Sequence, residues 1–225
     1  MRNFLGRLFF GGACFLCRGS ASGLLCDACL GELPRLGAEL CPRCALQSPH
    51  GALCGRCLAE PPGYDATVAV LAYDFPADTL VHALKFRGEL ALAPFLAELV
   101  SQKLAPEARR VDCVVPVPLS AARLRSRGYN QAAEIARYLM PAKLDVGACA
   151  RRHDSAPQMQ LPWAERQRNV RGAFGCNRRL PGARIAVVDD VMTTGATLDE
   201  VARTLKAAGA AHVVNWVVAR TLPPS

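Results

Sequence analysis

The sequence has little of what a membrane protein needs. No run approaches the roughly 18 uninterrupted apolar residues of a membrane-spanning helix, although 51% of the chain is hydrophobic. The apolar start, Met1 to Phe10, is broken by Arg7, and no clear small-residue cleavage site follows it. We therefore expect the 225-residue chain to form a packed core, and we expect neither a signal peptide nor membrane insertion.

Acidic residues are scarce as well. The chain has 19 Asp and Glu residues against 27 Lys and Arg residues, which gives a formal net charge of +8. A surplus of this sign favours an anionic partner, such as a phosphorylated molecule or a nucleic acid. If eight thiolates bind two Zn²⁺ ions, the charge falls to about +4, so the basic character is smaller than the count suggests.

Cysteine, in contrast, is abundant near the start of the chain. Eight of the eleven cysteines form four Cys-x-x-Cys pairs, with eight residues between the first two pairs and nine between the last two. A two-residue gap lets both sulfurs of a tight turn bind one metal ion, and two such turns complete a tetrahedral S₄ site that is closed to water. The spacing predicts two structural zinc ions, with ligands Cys14, Cys17, Cys26, Cys29, Cys41, Cys44, Cys54 and Cys57.

Two alternatives stay open for these cysteines. The pairs could share their ions in chain order or interleaved, since both arrangements supply four thiolates to each ion. A redox or disulfide module would also use paired cysteines. The lack of a secretory signal favours zinc and, with it, a reducing cytoplasmic location.

The composition changes near residue 60. Residues 1–60 have few large apolar side chains, so we expect a small double zinc-ribbon domain whose folding depends on metal. Two prolines and a glycine in Ala59–Gly63 mark the boundary, and residues 61–225 alternate apolar runs with helical patterns. That alternation predicts an α/β domain with a parallel sheet flanked by helices. The predicted strands are Thr67–Tyr73, Val111–Val115, Ile185–Asp189 and His212–Ala219, and the predicted helices are Pro76–Lys85, Leu90–Leu104, Asn130–Leu139 and Leu198–Ala208.

The most informative stretch follows the strand that ends at Asp189. Asp189 and Asp190 can accept hydrogen bonds from the vicinal hydroxyls of a ribose at the carboxyl edge of the sheet. The next residues supply amide and hydroxyl groups at a helix start, where an anion is favoured. An ordinary capped helix with solvated aspartates is the alternative. The predicted phosphate cradle comprises Thr193, Thr194, Gly195, Ala196 and Thr197.

Arginines are concentrated in residues 151–184, with Trp163 and Phe174 among them. Arginine binds phosphate bidentately and aromatic rings stack on unpaired bases, so a single-stranded DNA track is one interpretation. A solvated charged face, or arginines that bind a diphosphate, are the others. The predicted DNA or phosphate contacts are Arg127, Tyr129, Arg166, Arg168 and Arg171.

Several of these motifs resemble known proteins. The stretch 187–197 resembles the phosphoribosyl-diphosphate (PRPP) signature of type I phosphoribosyltransferases. Pro116–Leu119, Arg127–Gln131, the stretch Gln158 to Phe174 and the cysteine-rich start extend the resemblance over nearly the whole chain to the ComF family of competence proteins. This family places a zinc-ribbon head on a type I phosphoribosyltransferase-like domain.

The resemblance implies a role for each motif. Asp189 and Asp190 would hold the ribose hydroxyls, Thr193 to Thr197 would wrap the 5′-phosphate, and Mg²⁺ would be bound mainly by PRPP itself. It also implies single-stranded DNA handling during natural transformation, together with other competence-machinery proteins. An active phosphoribosyltransferase of nucleobase or nucleotide salvage, and an adaptor that only senses ribose phosphates, are the alternatives. The implied diphosphate loop comprises Val117, Pro118, Leu119 and Ser120.

Overall fold

A five-stranded parallel sheet lies at the centre of the protein, in a computed structural model that describes residues 12–105, 110–139, 143–152 and 170–223. The sheet order is β1-β7-β6-β2-β3, and β4 and β5 form a separate antiparallel pair. Strands β1 to β7 span Ala66–Ala72, Cys113–Pro116, Lys143–Leu144, Cys149–Arg151, Phe174–Cys176, Arg184–Met192 and His212–Arg220. Helices α1 to α7 span Asp27–Gly31, Gly55–Ala59, Ala77–Phe86, Leu92–Lys103, Ala121–Arg127, Gln131–Ala136 and Ala196–Ala207, and a short 3₁₀ helix spans Pro49–Gly51.

The two long central strands, β6 and β7, are buried on both sides of the sheet. Their side chains alternate, so that Val214 and Trp216 enter one core while Val213 and Val217 enter the other. Helices α3, α4 and α6 cover the first face, and α7 with the β4–β5 pair covers the second. Coverage of both faces explains why these strands read as continuous apolar runs in the sequence.

The predicted elements of the α/β domain are all present. Each predicted strand and helix is confirmed with ends shifted by a few residues, and Gly209, with φ of +109°, follows the end of α7 as expected for a C-terminal glycine. Strands β3, β4 and β5 and helix α5 were not predicted, because each is short and gains its stability from neighbours rather than from its own pattern.

The cysteine-rich segment packs on both sides of the sheet edge formed by β1. Cys14, Leu25 and Leu33 join the core under α3 and α4, whereas Cys44 and Tyr64 join the core under α7. Between them the chain runs beside β1, where Leu36 N–H donates to Val70 O (2.9 Å) and Ala72 N–H donates to Pro34 O (2.7 Å). These hydrogen bonds pair the backbone groups of an edge strand that would otherwise stay exposed. The boundary near residue 60 stays a prediction.

None of the helices in the described ranges is long and apolar enough to cross a membrane.

Burial in the core predicts which substitutions unfold the chain. Leu96 on α4 is fully buried, so Leu96→Ala removes packed methyl groups and should lower the free energy of unfolding by about 2–5 kcal/mol. Leu124 on α5 is 44% exposed, and Leu124→Ala should change that free energy by less than about 1 kcal/mol. Urea denaturation of both variants measures the difference, and equal losses would contradict this description of the core.

Candidate functional site

A cavity of about 1080 Å³ opens where β2 and β6 end, at the carboxyl edge of the sheet. Ligands of open α/β sheets bind at this edge, and a cavity of this size can enclose a nucleotide-sized molecule. Two predicted groups, the acidic pair and the cradle, meet here with the loop after β2. The predicted site residues that line the cavity are Val117, Pro118, Leu119, Arg127, Tyr129, Asp189, Asp190, Thr193, Gly195, Ala196 and Thr197.

Asp190 is buried at the end of β6 and forms an ion pair with α3. Lys85 Nζ lies 2.6 Å from Asp190 Oδ2, and Asp190 Oδ1 accepts a hydrogen bond from Val191 N–H. Burial alone would raise the pKa of Asp190, but the Lys85 ammonium outweighs it and holds that pKa below its usual value. Asp190 is therefore ionised, and the Lys85 ammonium balances its negative charge.

Asp189 has the opposite electrostatics, although it is the adjacent residue. Its burial and the neighbouring Asp190 carboxylate together raise the pKa of Asp189 well above its usual value. Its side chain is partly exposed to the cavity, and Oδ1 accepts from Asp190 N–H at 2.9 Å. The pair thus offers one carboxylate and one carboxyl that gains a proton easily, a combination that can both accept from and donate to a vicinal diol.

The turn from Thr193 to Thr197, named the phosphate loop, leads from β6 into α7. Gly195 has φ of +86°, a backbone conformation that favours glycine. A Cβ at this position would also lie 2.7 Å from Met192 Cε and 3.1 Å from Tyr64 Oη, so there is no room for a side chain. Thr194 Oγ1 accepts from Ala196 N–H at 3.2 Å. The 12-residue helix α7 directs its N-terminal amides at the cavity, where they favour an anion.

Basic side chains, together named the basic wall, also line the cavity. Lys85, Arg123, Arg127 and Arg151 all line it, so four cations outnumber the two aspartates among the described lining residues. The guanidinium of Arg127 lies 5.1 Å from the centre of the Phe86 ring, and that ring is 58% exposed at the cavity rim. The charge balance suits a ligand that carries more than one phosphate.

The loop after β2 is ordered by capping. Ser120 Oγ accepts from Arg123 N–H at 3.3 Å and caps α5, so its hydroxyl serves the helix rather than the cavity. Asn130 Oδ1 accepts from Ala132 N–H at 3.0 Å, and its Nδ2 donates to Val117 O at 3.0 Å. Asn130 therefore caps the N-terminus of α6, and the same side chain fixes the loop at Val117.

The remaining predicted phosphate contacts fall in different places. Tyr129 lines the cavity, but its hydroxyl donates to Leu84 O and so ties α3 to the loop after α5. Arg171 is exposed and lines a neighbouring cleft of about 470 Å³ with Thr194, behind the phosphate loop. Arg166 and Arg168 lie outside the described residues.

Sequence reasoning missed the partner of Asp190. The sequence pattern only places Lys85 where a cation suits the C-terminal end of a helix dipole, because nothing in it links position 85 to position 190. A buried aspartate after a strand does call for a cation, but the chain has 27 Lys and Arg residues to choose from. Arg220, buried at the end of β7, was missed for the same reason.

The eight cysteines form two clusters in chain order, with four in each and sulfur atoms within 4.8 Å of one another. The Cys17–Cys26 and Cys44–Cys54 sulfur distances are 3.7 and 3.6 Å. A tetrahedral ion with Zn–S bonds of about 2.3 Å separates its sulfurs by about 3.8 Å, so both clusters fit zinc. The interleaved alternative is excluded. The first cluster comprises Cys14, Cys17, Cys26 and Cys29, and the second cluster comprises Cys41, Cys44, Cys54 and Cys57.

Backbone amides in the turns favour thiolates. Burial raises the pKa of Cys41, but N–H groups of Cys54, Cys44 and Arg43 outweigh it and lower this pKa to about 7. The same balance lowers the pKa of Cys14 to about 6. Thiolates are the form that binds metal, so one cysteine of each cluster already favours that form, whereas burial and neighbouring cysteines raise the pKa of Cys29, Cys44 and Cys57.

The opposite electrostatics of the two aspartates predict opposite stability effects. Because the folded-state pKa of Asp189 is raised, the folded chain binds this proton more tightly than the unfolded chain, and stability falls as pH rises above the ordinary Asp value. Asp189→Asn removes this penalty and should raise the free energy of unfolding at pH 7 by about 1 kcal/mol. Asp190→Asn leaves the Lys85 charge unpaired and should lower it by about 3–5 kcal/mol.

Urea denaturation at pH 5 and pH 7 measures both effects. The gain from Asp189→Asn should be larger at pH 7 than at pH 5. A loss of stability in both variants would refute the electrostatic difference between the two carboxyls.

Two family models match the chain. A double zinc ribbon domain matches residues 5–58, and a phosphoribosyl transferase domain matches residues 95–221. The first covers both cysteine clusters, and the second covers the acidic pair, the phosphate loop and the loop after β2. These matches confirm the predicted fold, a type I phosphoribosyltransferase-like parallel sheet preceded by a double zinc ribbon.

Curated relatives match over almost their full length. The chain is 35% identical to "DNA utilization protein YhgH" of Salmonella typhimurium and 30% identical to "Competence protein F" of Haemophilus influenzae, in each case over 94% of this chain and 98% of the relative. It is 26% identical to "Competence protein ComFC" of Bacillus subtilis, over 88% of this chain and 84% of the relative. With both domains and these relatives in agreement, the chain belongs to the ComF family of competence proteins.

Proposed function

We propose that this protein binds PRPP or a related ribose 5-phosphate at the carboxyl edge of its sheet and takes part in handling single-stranded DNA during natural transformation. The observation that carries the proposal is that the acidic pair, the N-terminus of α7 and the basic wall line one cavity. PRPP carries groups that match these three, namely a vicinal diol, a 5′-phosphate and a diphosphate, and ribose 5-phosphate carries the first two. A cytoplasmic location suits the eight thiolates, which need a reducing compartment.

The ribose and its 5′-phosphate occupy the side of the cavity next to β6. Asp189 accepts from or donates to the ribose hydroxyls, while Asp190 stays paired with Lys85. The amides of the phosphate loop and the N-terminal turn of α7 bind the 5′-phosphate, and Gly195 lets the backbone approach it closely.

The diphosphate end lies against Val117 to Leu119 and the cations of α5. Magnesium prefers oxygen ligands, and the two aspartates are its only carboxylates among the described lining residues. Because Asp190 is committed to Lys85, the ligand's own phosphate oxygens would supply most of the coordination. When bound, Mg²⁺ neutralises the charge of the diphosphate and makes it a better leaving group.

An active phosphoribosyltransferase is the alternative function. Departure of diphosphate from C1′ passes through an oxocarbenium-like state, so the cations Arg123 and Arg127 would stabilise the departing charge without any nucleophilic side chain. No residue is assigned a catalytic role.

Single-stranded DNA fits the rim of the same cavity. The exposed Phe86 ring lies 4.6 Å from the His82 ring and carries Arg127 above it, so a base can stack beside cations that bind its phosphates. Arg123, one helical turn before Arg127 on α5, continues this basic surface. The names "DNA utilization protein" and "Competence protein F" of the relatives support a DNA-related role.

Ligand binding tests the ribose assignment. Wild-type protein should bind ribose 5-phosphate and PRPP in isothermal titration calorimetry, and Asp189→Asn should weaken both by about 10- to 100-fold, because hydrogen bonds to the diol are lost. Zinc content should stay at two ions per chain. The control Glu98→Gln removes a carboxylate from the exposed side of α4 and should leave affinity unchanged.

Diphosphate release measured in the same samples, with and without single-stranded DNA, separates the two functions. Release would favour the transferase, and binding without release would favour a ligand-binding protein. Unchanged affinity in Asp189→Asn would remove the ribose role of that residue.

DNA binding depends on salt if arginines contact phosphates. Arg123→Ala should weaken oligo-dT binding in fluorescence anisotropy and flatten the slope of log K against log salt by about 0.7 for each lost contact. Phe86→Ala should weaken binding by about 1–3 kcal/mol with an unchanged slope, because stacking involves no counterion. Arg166→Ala and Arg168→Ala should behave like Arg123→Ala.

The matched control for these variants is Arg137→Ala. It removes the same charge from the end of α6, where Arg137 lies 3.6 Å from Glu134. Equal slopes for Arg137→Ala and Arg123→Ala would show that these arginines act only as ordinary surface charge and do not contact DNA phosphates.

A further inference from the structure

One buried arginine connects the cysteine-rich segment to the phosphate loop. Arg220 is the last residue of β7, and only 1% of it is exposed. Its Nε donates to Cys44 O at 2.9 Å, and its Nη1 donates to Met192 O at 2.9 Å and to Thr193 O. The same guanidinium therefore bonds the backbone of a metal-ligating cysteine and the backbone where the phosphate loop begins.

Tyr64 fills the space beside this connection. The residue is 2% exposed and shares a core with Cys44, Cys57 and Met192. Tyr64 also lines a cleft together with Cys57 of the second cluster and with Thr194 of the phosphate loop. At its other side, Tyr64 Oη lies 3.1 Å from the position that a Cβ on Gly195 would take.

A third contact holds the first turn of α7. Gly63 N–H donates to Asp199 Oδ1 at 2.5 Å, and Asp199 N–H donates to Gly195 O at 2.8 Å. The chain that leaves the second cluster thus bonds the helix whose N-terminus faces the cavity. Arg220, Tyr64 and Gly63 thus link the phosphate loop or the first turn of α7 to the second cluster or to the chain that follows it.

The first cluster lies elsewhere. Cys14 packs with Leu25 and Leu33 into the core under α3 and α4, on the opposite face of the sheet from α7. The two clusters have the same ligands and nearly the same spacing, so one serves as a control for the other.

We propose that the metal-loaded second cluster holds the phosphate loop in its binding shape through Arg220 and Tyr64, whereas the first cluster does not. Zinc fixes the turn that carries Cys44 O, and without metal this turn loosens. Arg220 then loses one of its acceptors and holds Met192 and Thr193 less firmly. Arg220 is a positioning residue in this arrangement, since it acts through the backbone of the loop.

The consequence for ligand affinity rests on the proposed function. If ribose 5-phosphate binds this loop, its affinity depends on the second zinc ion. Thermodynamic reciprocity then requires the ligand to raise the affinity of the second cluster for zinc by the same factor.

Hydrogen exchange of full-length protein tests the connection without any ligand. Cys54→Ser should lose one zinc ion and speed amide exchange across the phosphate loop by about tenfold, relative to core amides of β6. Cys26→Ser should lose one zinc ion from the first cluster and leave exchange in the loop within about twofold of wild type. Equal exchange in the loop of both variants would overturn the proposal.

Arg220→Met decides the case if Cys54→Ser does not fold. It keeps all eight cysteines and most of the aliphatic stem, so both zinc ions should remain while exchange in the loop rises. Arg220→Lys, which keeps a cation, should restore part of the protection. An unchanged loop in a folded Arg220→Met protein would overturn the proposal, as would a uniform rise over the whole sheet, because that indicates general destabilisation. If neither variant folds, Tyr64→Leu, which removes the ring beside Gly195, should speed exchange in the loop, and unchanged exchange would overturn the proposal.

Ligand-linked zinc release separates this inference from the proposed function. In wild type, saturating ribose 5-phosphate should raise the chelator concentration at which one of the two zinc ions is lost at equilibrium, and in Arg220→Met it should not. Absence of ribose 5-phosphate binding in wild type would refute the proposed function, while the exchange experiment would still decide whether the second cluster shapes the loop.

Discussion

The parallel pairing of β6 and β7 is the constraint from which the site follows. The strands pair from Arg184 with His212 to Met192 with Arg220, so both end at the same edge of the sheet. Parallel neighbours need a crossover, and here it is α7, whose N-terminus must start at that edge. The acidic pair, the helix terminus and the buried guanidinium therefore lie side by side because of the topology.

The acidic pair shows how the site departs from what stability alone would select. Two adjacent carboxyls after a buried strand repel each other, and the chain neutralises Asp190 with Lys85 but leaves Asp189 in an unfavourable environment. An apolar or amide residue would suit that position better if only folding mattered. A residue that is unfavourable for the empty protein and faces a cavity indicates a binding site.

Much of this arrangement could be predicted from sequence, and the rest could not for physical reasons. The strands that contain Asp189 and Trp216 are long apolar runs buried on both faces, so their pattern is strong. The glycine and threonines after Asp190 combine the backbone freedom and the hydroxyl groups that a phosphate site needs. The partners of Asp190 and Cys44, in contrast, are Lys85 and Arg220, which are distant in sequence and resemble any other basic residue. Ser120 presents a different difficulty, since the sequence does not distinguish a serine that contacts a ligand from a serine that caps a helix. The order of the zinc ligands needed distances, because both pairings of Cys-x-x-Cys motifs have the same spacing.

The strip of chain beside β1 limits how this protein can be divided. Leu36 and Pro34 occupy hydrogen-bonding positions along the outermost strand. A fragment that begins after residue 60 would carry a bare row of amides and carbonyls on β1, and such a row recruits strands from other molecules. The cysteine-rich segment therefore covers β1, and without it the rest of the chain would tend to self-associate. A chimaera that takes this segment from a relative would succeed only where the incoming segment supplies equivalent backbone hydrogen bonds to β1.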